Sequence, residues 1–147
     1  MERCKKAGAD IVLDYRTQNL ADEILAANAG APVPRIIDVE FGYNIETNTR
    51  VIALNGTIAA YGSALNMPPT LPFYPLLFKT VTIDIVLIYL LSDAARQSAI
   101  SNLHAALTDR ALACPVQAIF SLDETTAAHE TVEASGREGA ILIDVNA

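Results

Sequence analysis

Apolar residues along the chain change their period repeatedly, and the changes divide it into short β-rich runs and amphipathic helical stretches. Residues Arg3 to Ala7 read as the end of a helix, with Gly8 placed to stop it. Ile11 to Tyr15 reads as a first strand. Leu20, Ile24 and Leu25 then recur at helical spacing, with Asn19 available as a cap, until Gly30 and Pro32 break the pattern. Arg35 to Val39 is a second strand. Ile45 to Leu54 predicts a helix that ends at Asn55-Gly56, a strong turn or C-cap signal. Thr57 to Tyr61 is a third strand, closed by Gly62-Ser63.

The second half continues the alternation. A proline-rich loop leads into Val81 to Tyr89, a nearly continuous β-branched and apolar run expected of a strand buried on both faces. Ser92 or Asp93 can cap a long helix whose apolar side carries Ile100, Leu103 and Leu107. Val116 to Phe120 is a further strand. Ser121 and Glu124 have capping-box spacing ahead of a helix running to about Ala134. Gly136 and Gly139 loosen the chain before a last strand, Ala140 to Val145. Strands alternating with helices in this way predict an α/β fold built from parallel βαβ units.

The run from Leu71 to Leu91 is apolar enough to be tested as a membrane span. Pro72, Pro75, Lys79 and Asp84 interrupt it, and a spanning helix would have to carry both charges through hydrocarbon. No membrane partner is expected. The amino-terminal Met1 to Lys6 is charged and no apolar stretch follows it, which is unlike a secretory signal.

Composition adds constraints. The 147 residues are 52% apolar and 18% charged, which suits one globular domain with a core. A net charge of −7 would repel a phosphate backbone, so nucleic acid is not an expected partner. Cys4 and Cys114 belong to no CxxC or Cys/His cluster, which argues against a zinc site and a disulfide framework and suits a reducing cytoplasm.

Four segments, taken in order, resemble one family. They are GADIVLDYR (Gly8 to Arg16), RIIDVEFG (Arg35 to Gly42), LNGTIAAYGS (Leu54 to Ser63) and SLDETTAAHE (Ser121 to Glu130) leading to GAILIDV. Together they resemble the zinc-independent quinone reductases of the medium-chain dehydrogenase superfamily, the zeta-crystallin group, over essentially the whole chain. Enoyl reductases and crotonyl-type reductases share the layout. The resemblance implies a partial Rossmann-type sheet over residues 1–113, carrying strands 3 to 6 of the family's dinucleotide-binding domain. Residues 114–147 would then return to the catalytic domain as a strand-helix-strand segment.

One departure stands against the matches. The family's glycine-rich turn follows its first strand, and no GxGxxG-like or AxxGGVG-like turn occurs in this sequence. Strands 1 and 2 of the family's order are missing with it. In that order their absence would separate strands 3 and 4 by about 14 Å and leave unpaired edges on both sides. An expressed fragment, one piece of a split enzyme, and a rearranged sheet are the three explanations, and the fragment is favoured.

The resemblance also implies functions for particular residues. Tyr15 falls where the family meets the adenosine ribose and, in NADPH users, its 2′-phosphate, and Arg16 would add charge; the alternative is a strand-end tyrosine packing on the surface. Asn44 falls at a cofactor-contacting position, the alternative being a helix N-cap. Tyr61, Gly62, Ser63 and Ala64 match the turn at the carboxyl edge, where glycine lets backbone approach a cofactor. Val86, Leu87 and Ile88 match the segment meeting the nicotinamide half, the alternative being core or a dimer edge. In many relatives this strand pairs with its twin, so a homodimer through Val81 to Tyr89 is expected. Arg137 lies two residues from an arginine position in some relatives, with Ser135 in its place.

Asp38 and Glu40 share one face of a strand and are expected to be solvated or strand-end groups. His104 is expected on a helix surface, and His129 as a packed, hydrogen-bonded structural residue. The resemblance implies a hydride transfer from NADPH to a quinone or enone, with no catalytic residue assigned in this chain. For want of the phosphate turn, weak or absent NADPH binding is expected. A catalytically silent folding or dimerisation module is the competing reading.

Overall fold

The structure is a computed structural model that describes residues 2–134 and 136–146. The chain divides into two compact units, Met1–Arg96 and Gln97–Ala147.

In the first unit a short helix α1 (Glu2–Lys6) is stopped at Gly8, whose φ of 97° takes the left-handed turn that favours glycine. Helix α2 (Leu20–Ala27) follows; Asn19 occupies its N-cap position without a side-chain cap bond. Strands β1 (Val33–Asp38), β2 (Ile52–Ala60) and β3 (Thr82–Ile85) form a parallel sheet in the order β1-β2-β3. Helix α3 (Phe41–Val51) crosses from β1 to β2 and packs on both, and a short α4 (Phe73–Phe78) precedes β3. The register Ile36↔Ile58↔Ile83 and Asp38↔Ala60↔Ile85 places these residues on one face. That face carries the core at its centre, where Ile58 and Ala60 are buried with Ile45 and Val51 of α3, while Ile85 on the edge strand stays exposed. The other face is less covered: Thr57 and Ala59 are half-buried and Ile37 is 75% exposed.

The second unit contains a parallel pair, β4 (Val116–Ser121) and β5 (Ala140–Asp144), joined through a 3-10 turn (Leu122–Glu124) and helix α6 (Thr125–Glu133). The capping box is formed as expected: Ser121 N and Oγ donate to Glu124 Oε2 at 2.9 and 2.8 Å. Helix α5 (Asp93–Thr108), in which the sequence boundary between the units falls, has no buried residue; the Ser92 hydroxyl accepts from Ala95 N at its start. The α/β class with parallel strands is therefore as the sequence predicts.

Several local expectations are corrected. Ile11 to Tyr15 is not a strand, because it joins neither sheet and an extended segment is a strand only when its backbone groups find a ladder. Asn55-Gly56 does not end a helix. Helix α3 stops at Val51, where the Lys79 ammonium donates to the carbonyls of Thr49, Arg50 and Ile52. The turn signal is spent instead on an irregularity within β2, with Asn55 at φ 57° and register slipping from Val33↔Ile52 to Arg35↔Thr57.

The Val81 to Tyr89 run gives only a four-residue strand that is largely exposed, not buried on both faces. As an edge strand it pairs on one side only, and past Val86 the chain bends into a 3-10 turn at Ile88–Leu90. Within the preceding proline-rich segment α4 forms nonetheless, since Pro75 lies in the first turn, where no intrahelical N–H bond is lost.

Candidate functional site at the carboxyl edge of the first sheet

In open parallel sheets ligands bind beyond the carboxyl ends of the strands, and here β1 and β2 end at Asp38 and Ala60. The loops beyond them are tied together. Tyr61 N donates to the Asp38 carbonyl at 3.0 Å and Phe41 N to the Gly62 carbonyl at 2.9 Å. Gly42 N donates to Ser63 Oγ at 2.9 Å, and that hydroxyl donates to the Asn66 carbonyl at 2.6 Å. Asn66 Nδ2 returns a bond to the Gly42 carbonyl, and Leu65 N donates to Glu40 Oε2 at 2.9 Å.

The two glycines permit this closeness. A Cβ on Gly42 would lie 2.0 Å from the Asn66 carbonyl oxygen, and one on Gly62 would lie 2.4 Å from that of Val39. Neither position has room for a side chain.

Asp38 is the centre of the arrangement. It is 4% exposed, and its carboxylate accepts from Glu40 N at 2.8 Å, from Asn44 Nδ2 at 2.9 Å and from Asn48 Nδ2. Strand-end placement is as expected, but solvation is not: a buried carboxylate is tolerable here because three donors converge on it. Asn44 and Asn48 stand four residues apart on α3 and so share the helix face above Asp38. Asn44 is consequently not an N-cap. Glu40 holds that place, and its carbonyl accepts from Tyr43 N and Asn44 N. With Phe41 N and Gly42 N bound to the second loop, each of the first four N–H groups of α3 has an internal acceptor.

Val86, Leu87 and Ile88 follow the carboxyl end of β3, the next strand over. Val86 N donates to the Ala60 carbonyl at 2.8 Å, while Leu87 and Ile88 are exposed. The sheet thus brings Asn44, the Tyr61 to Ala64 turn and the start of the Val86 to Ile88 segment to one edge, with Tyr61 and Ala64 exposed.

Tyr15 and Arg16 sit in a turn, not at a strand end. Arg16 N donates to Asp14 Oδ1 at 3.0 Å, and the guanidinium carbon stands 5.5 Å from the Tyr15 ring centroid. Tyr15 is 64% exposed, so it does not pack as a surface-anchoring tyrosine. The hydrogen bond to the phenol, then its charge and that of Asp14, hold the Arg16 pKa above its ordinary value.

A cavity of about 360 Å³ lies between α2 and the segment before it, lined by Ile11, Leu13, Leu20, Ile24 and Val33 among others. It is apolar and holds none of the expected site residues.

His104 is exposed, as expected for a helix surface. His129 is exposed as well, against the expectation of a packed residue: one helical step of 100° separates it from Ala128, the position α6 buries. Arg137 is exposed, and Ser135 lies outside the described residues. Among the described residues no three His, Cys, Asp or Glu side chains converge as metal ligands. None of the helices among them is long and apolar enough to cross a membrane.

The model of the zinc-binding dehydrogenase family matches residues 7–143. No curated protein matches the chain. Among solved structures, an NAD-dependent alcohol dehydrogenase superposes with a TM-score of 0.80 at 20% identity, over 98% of this chain and 40% of its own. A 2-haloacrylate reductase does so at 0.83 and 22%, over 95% and 45%. A mycobacterial quinone oxidoreductase gives 0.83 and 22%, over 95% and 44%. At these identities the likeness is one of fold, and the chain spans less than half the length of each.

Proposed function

Since the chain belongs to the zinc-binding dehydrogenase family, we propose that its fold serves an NAD(P)H-dependent oxidoreductase, of the zinc-independent quinone reductase type, passing hydride from NADPH to a quinone or an activated alkene or carbonyl. The observation that carries this reading is the convergence of Asn44, Tyr61, Gly62, Ser63 and Ala64 on the carboxyl edge of β1 and β2. A quinone oxidoreductase and a haloacrylate reductase among the fold neighbours agree with an electron-poor acceptor.

The cofactor supplies the hydride in such chemistry, and the protein positions and polarises. The residues present fit part of a dinucleotide. Exposed Tyr15 with its cationic neighbour Arg16 suits an adenosine ribose carrying a 2′-phosphate, whereas the space a side chain would take at Gly62 is already filled by the Val39 carbonyl. Helix α3 does not fit a pyrophosphate, because its first-turn N–H groups are already bonded. No glycine-rich turn stands elsewhere in the sequence to replace it.

The chain itself therefore holds NADPH in the millimolar range or not at all. Calorimetric titration tests this, and micromolar affinity would overturn it. The strip from Val81 to Tyr89 is the proposed homodimer edge, with the bared Ile85 and Tyr89 on it. Light scattering after size exclusion should give twice the chain mass; a monomer at high concentration would count against the edge. A silent dimerisation module is the second reading, favoured by the closed start of α3. Turnover of naphthoquinone-type acceptors with NADPH would exclude it.

A further inference from the structure

We propose that the main-chain carbonyls of Thr49, Arg50 and Ile52 form a binding site for a dehydrated monovalent cation, and that the Lys79 ammonium is its built-in occupant. The site lies at the carboxyl end of α3, away from Asp38 and Asn44, and does not depend on the cofactor reading.

The last four carbonyls of a helix lack intrahelical partners, and the helix dipole makes that end negative. In α3 the Asn48 carbonyl takes Ile52 N, which leaves those of Thr49 and Arg50 in need of a donor. The chain then turns into β2 at Ile52, with φ −66° and ψ 138°, and the Ile52 carbonyl comes to the same point. Lys79 Nζ donates to the three oxygens at 2.7, 3.1 and 2.9 Å. An ammonium has three donors and no acceptor, so these carbonyls use its full capacity.

The kind of oxygen sets the kind of ion. Every one of these partners is an uncharged carbonyl, and among the described residues no carboxylate forms an ion pair with Lys79. Divalent ions gather carboxylates and about six or more oxygens, and nothing of that sort is assembled here. Carbonyl groups that replace a hydration shell suit an ion of low charge density, as in potassium-selective pores.

Delivery of the ammonium is also built in. Lys79 caps α4, where its N–H donates to the Leu76 carbonyl at 3.2 Å and its own carbonyl accepts from Asn55 N at 2.7 Å. Asn55 is the φ 57° residue of the irregularity in β2. The main chain of Lys79 is thereby fixed to the strand whose start its ammonium holds. Lys79 is half-buried, and Thr49 and Ile52 are buried. With the ammonium in place Nζ is closed to electrophiles, and with it removed the oxygens are left for an ion from solution.

Limiting acylation with N-hydroxysuccinimidyl acetate, read by peptide mass spectrometry, tests the occupant on the unaltered chain. Lys5 and Lys6 are exposed and should react about tenfold or more faster than Lys79, whose amine must first leave its carbonyls. Equal rates at the three lysines would overturn the assignment.

Lys79→Met keeps the length of the side chain and removes the cation. Its urea unfolding is compared at one fixed chloride concentration, supplied by tetramethylammonium, potassium or ammonium. In tetramethylammonium, too bulky for the site, the variant should be less stable than the parent. Potassium or ammonium should raise its folding constant about tenfold for each tenfold rise in the ion once the site begins to fill, and leave the parent unchanged. A variant that folds only in potassium or ammonium would support the site equally. No gain over tetramethylammonium, or the same gain in the parent, would overturn it. The acylation comparison stands whether or not the variant folds.

Discussion

Two stretches of the first unit, both ending parallel strands, differ sharply in how their groups are partnered. Beyond β1 and β2 the loops close on each other: a buried carboxylate, two asparagine amides, a serine hydroxyl and the first turn of α3 all find partners within the chain. Beyond β3 the strip continues as Val86 to Leu91, where Leu90 is 79% exposed and Ile85 just before it 81%. One region is complete as it stands, and the other offers an apolar surface that the unit does not cover. Polar loops can be satisfied by a few nearby donors and acceptors, whereas an apolar strand needs a whole packed surface.

The largest effect should come from removing the centre of the closed region. Asp38→Ala leaves the Asn44 and Asn48 amides and the Glu40 N–H without their acceptor, and should cost roughly 3 kcal/mol in urea unfolding. A loss below about 0.5 kcal/mol, the range of ordinary surface changes, would show that the region is not closed in the way described.

Gly42→Ala should come next, at about 2 kcal/mol for forced overpacking, because its Cβ would run into the Asn66 carbonyl. An unchanged urea midpoint would break the comparison from the same side. On the open strip the same kind of change should be almost silent in stability. Leu87→Asp alters an exposed side chain, so its unfolding midpoint should stay within about 0.5 kcal/mol of the parent. Its effect should appear instead as loss of the proposed dimer in light scattering, and a dimer retained by the variant would remove the strip from the interface.

The smallest effect concerns the second unit. Bonds from the Ser121 N–H and then its hydroxyl hold the Glu124 pKa below its ordinary 4.5. A carboxyl group lowered on folding contributes stability above its unfolded pKa, and loses it as pH falls through the lower folded value. Ser121→Ala removes the hydroxyl and keeps the backbone donor, so the Glu124 pKa read by NMR should rise only part of the way back. A return to the full ordinary value would mean that the backbone bond is not made.

Much of this was legible in the sequence because it is written in local signals. Gly8, the Ser121/Glu124 spacing and the alternation of strand and helix depend on nearest neighbours, and each appears where the residues placed it. Asp38 was not legible as a hub, although its signal was there: an aspartate ending an apolar strand, followed by asparagines at helical spacing, Asn44 and Asn48. Seeing it required knowing that α3 starts at Phe41, earlier than the apolar pattern from Ile45 suggests. Ile11 to Tyr15 and Val81 to Tyr89 misled for the opposite reason. Their β-branched composition is strand-like, yet strand formation and burial are set by neighbours that composition cannot report.

Amide hydrogen exchange on the monomeric chain, at dilution, measures the contrast between the two regions most directly. The amides of Phe41, Gly42, Tyr61 and Leu65, each bonded across the loops, should exchange about a hundredfold or more slowly than those of Leu87 to Tyr89. Equal exchange rates in the two regions, or a protected strip in the monomer, would contradict the account.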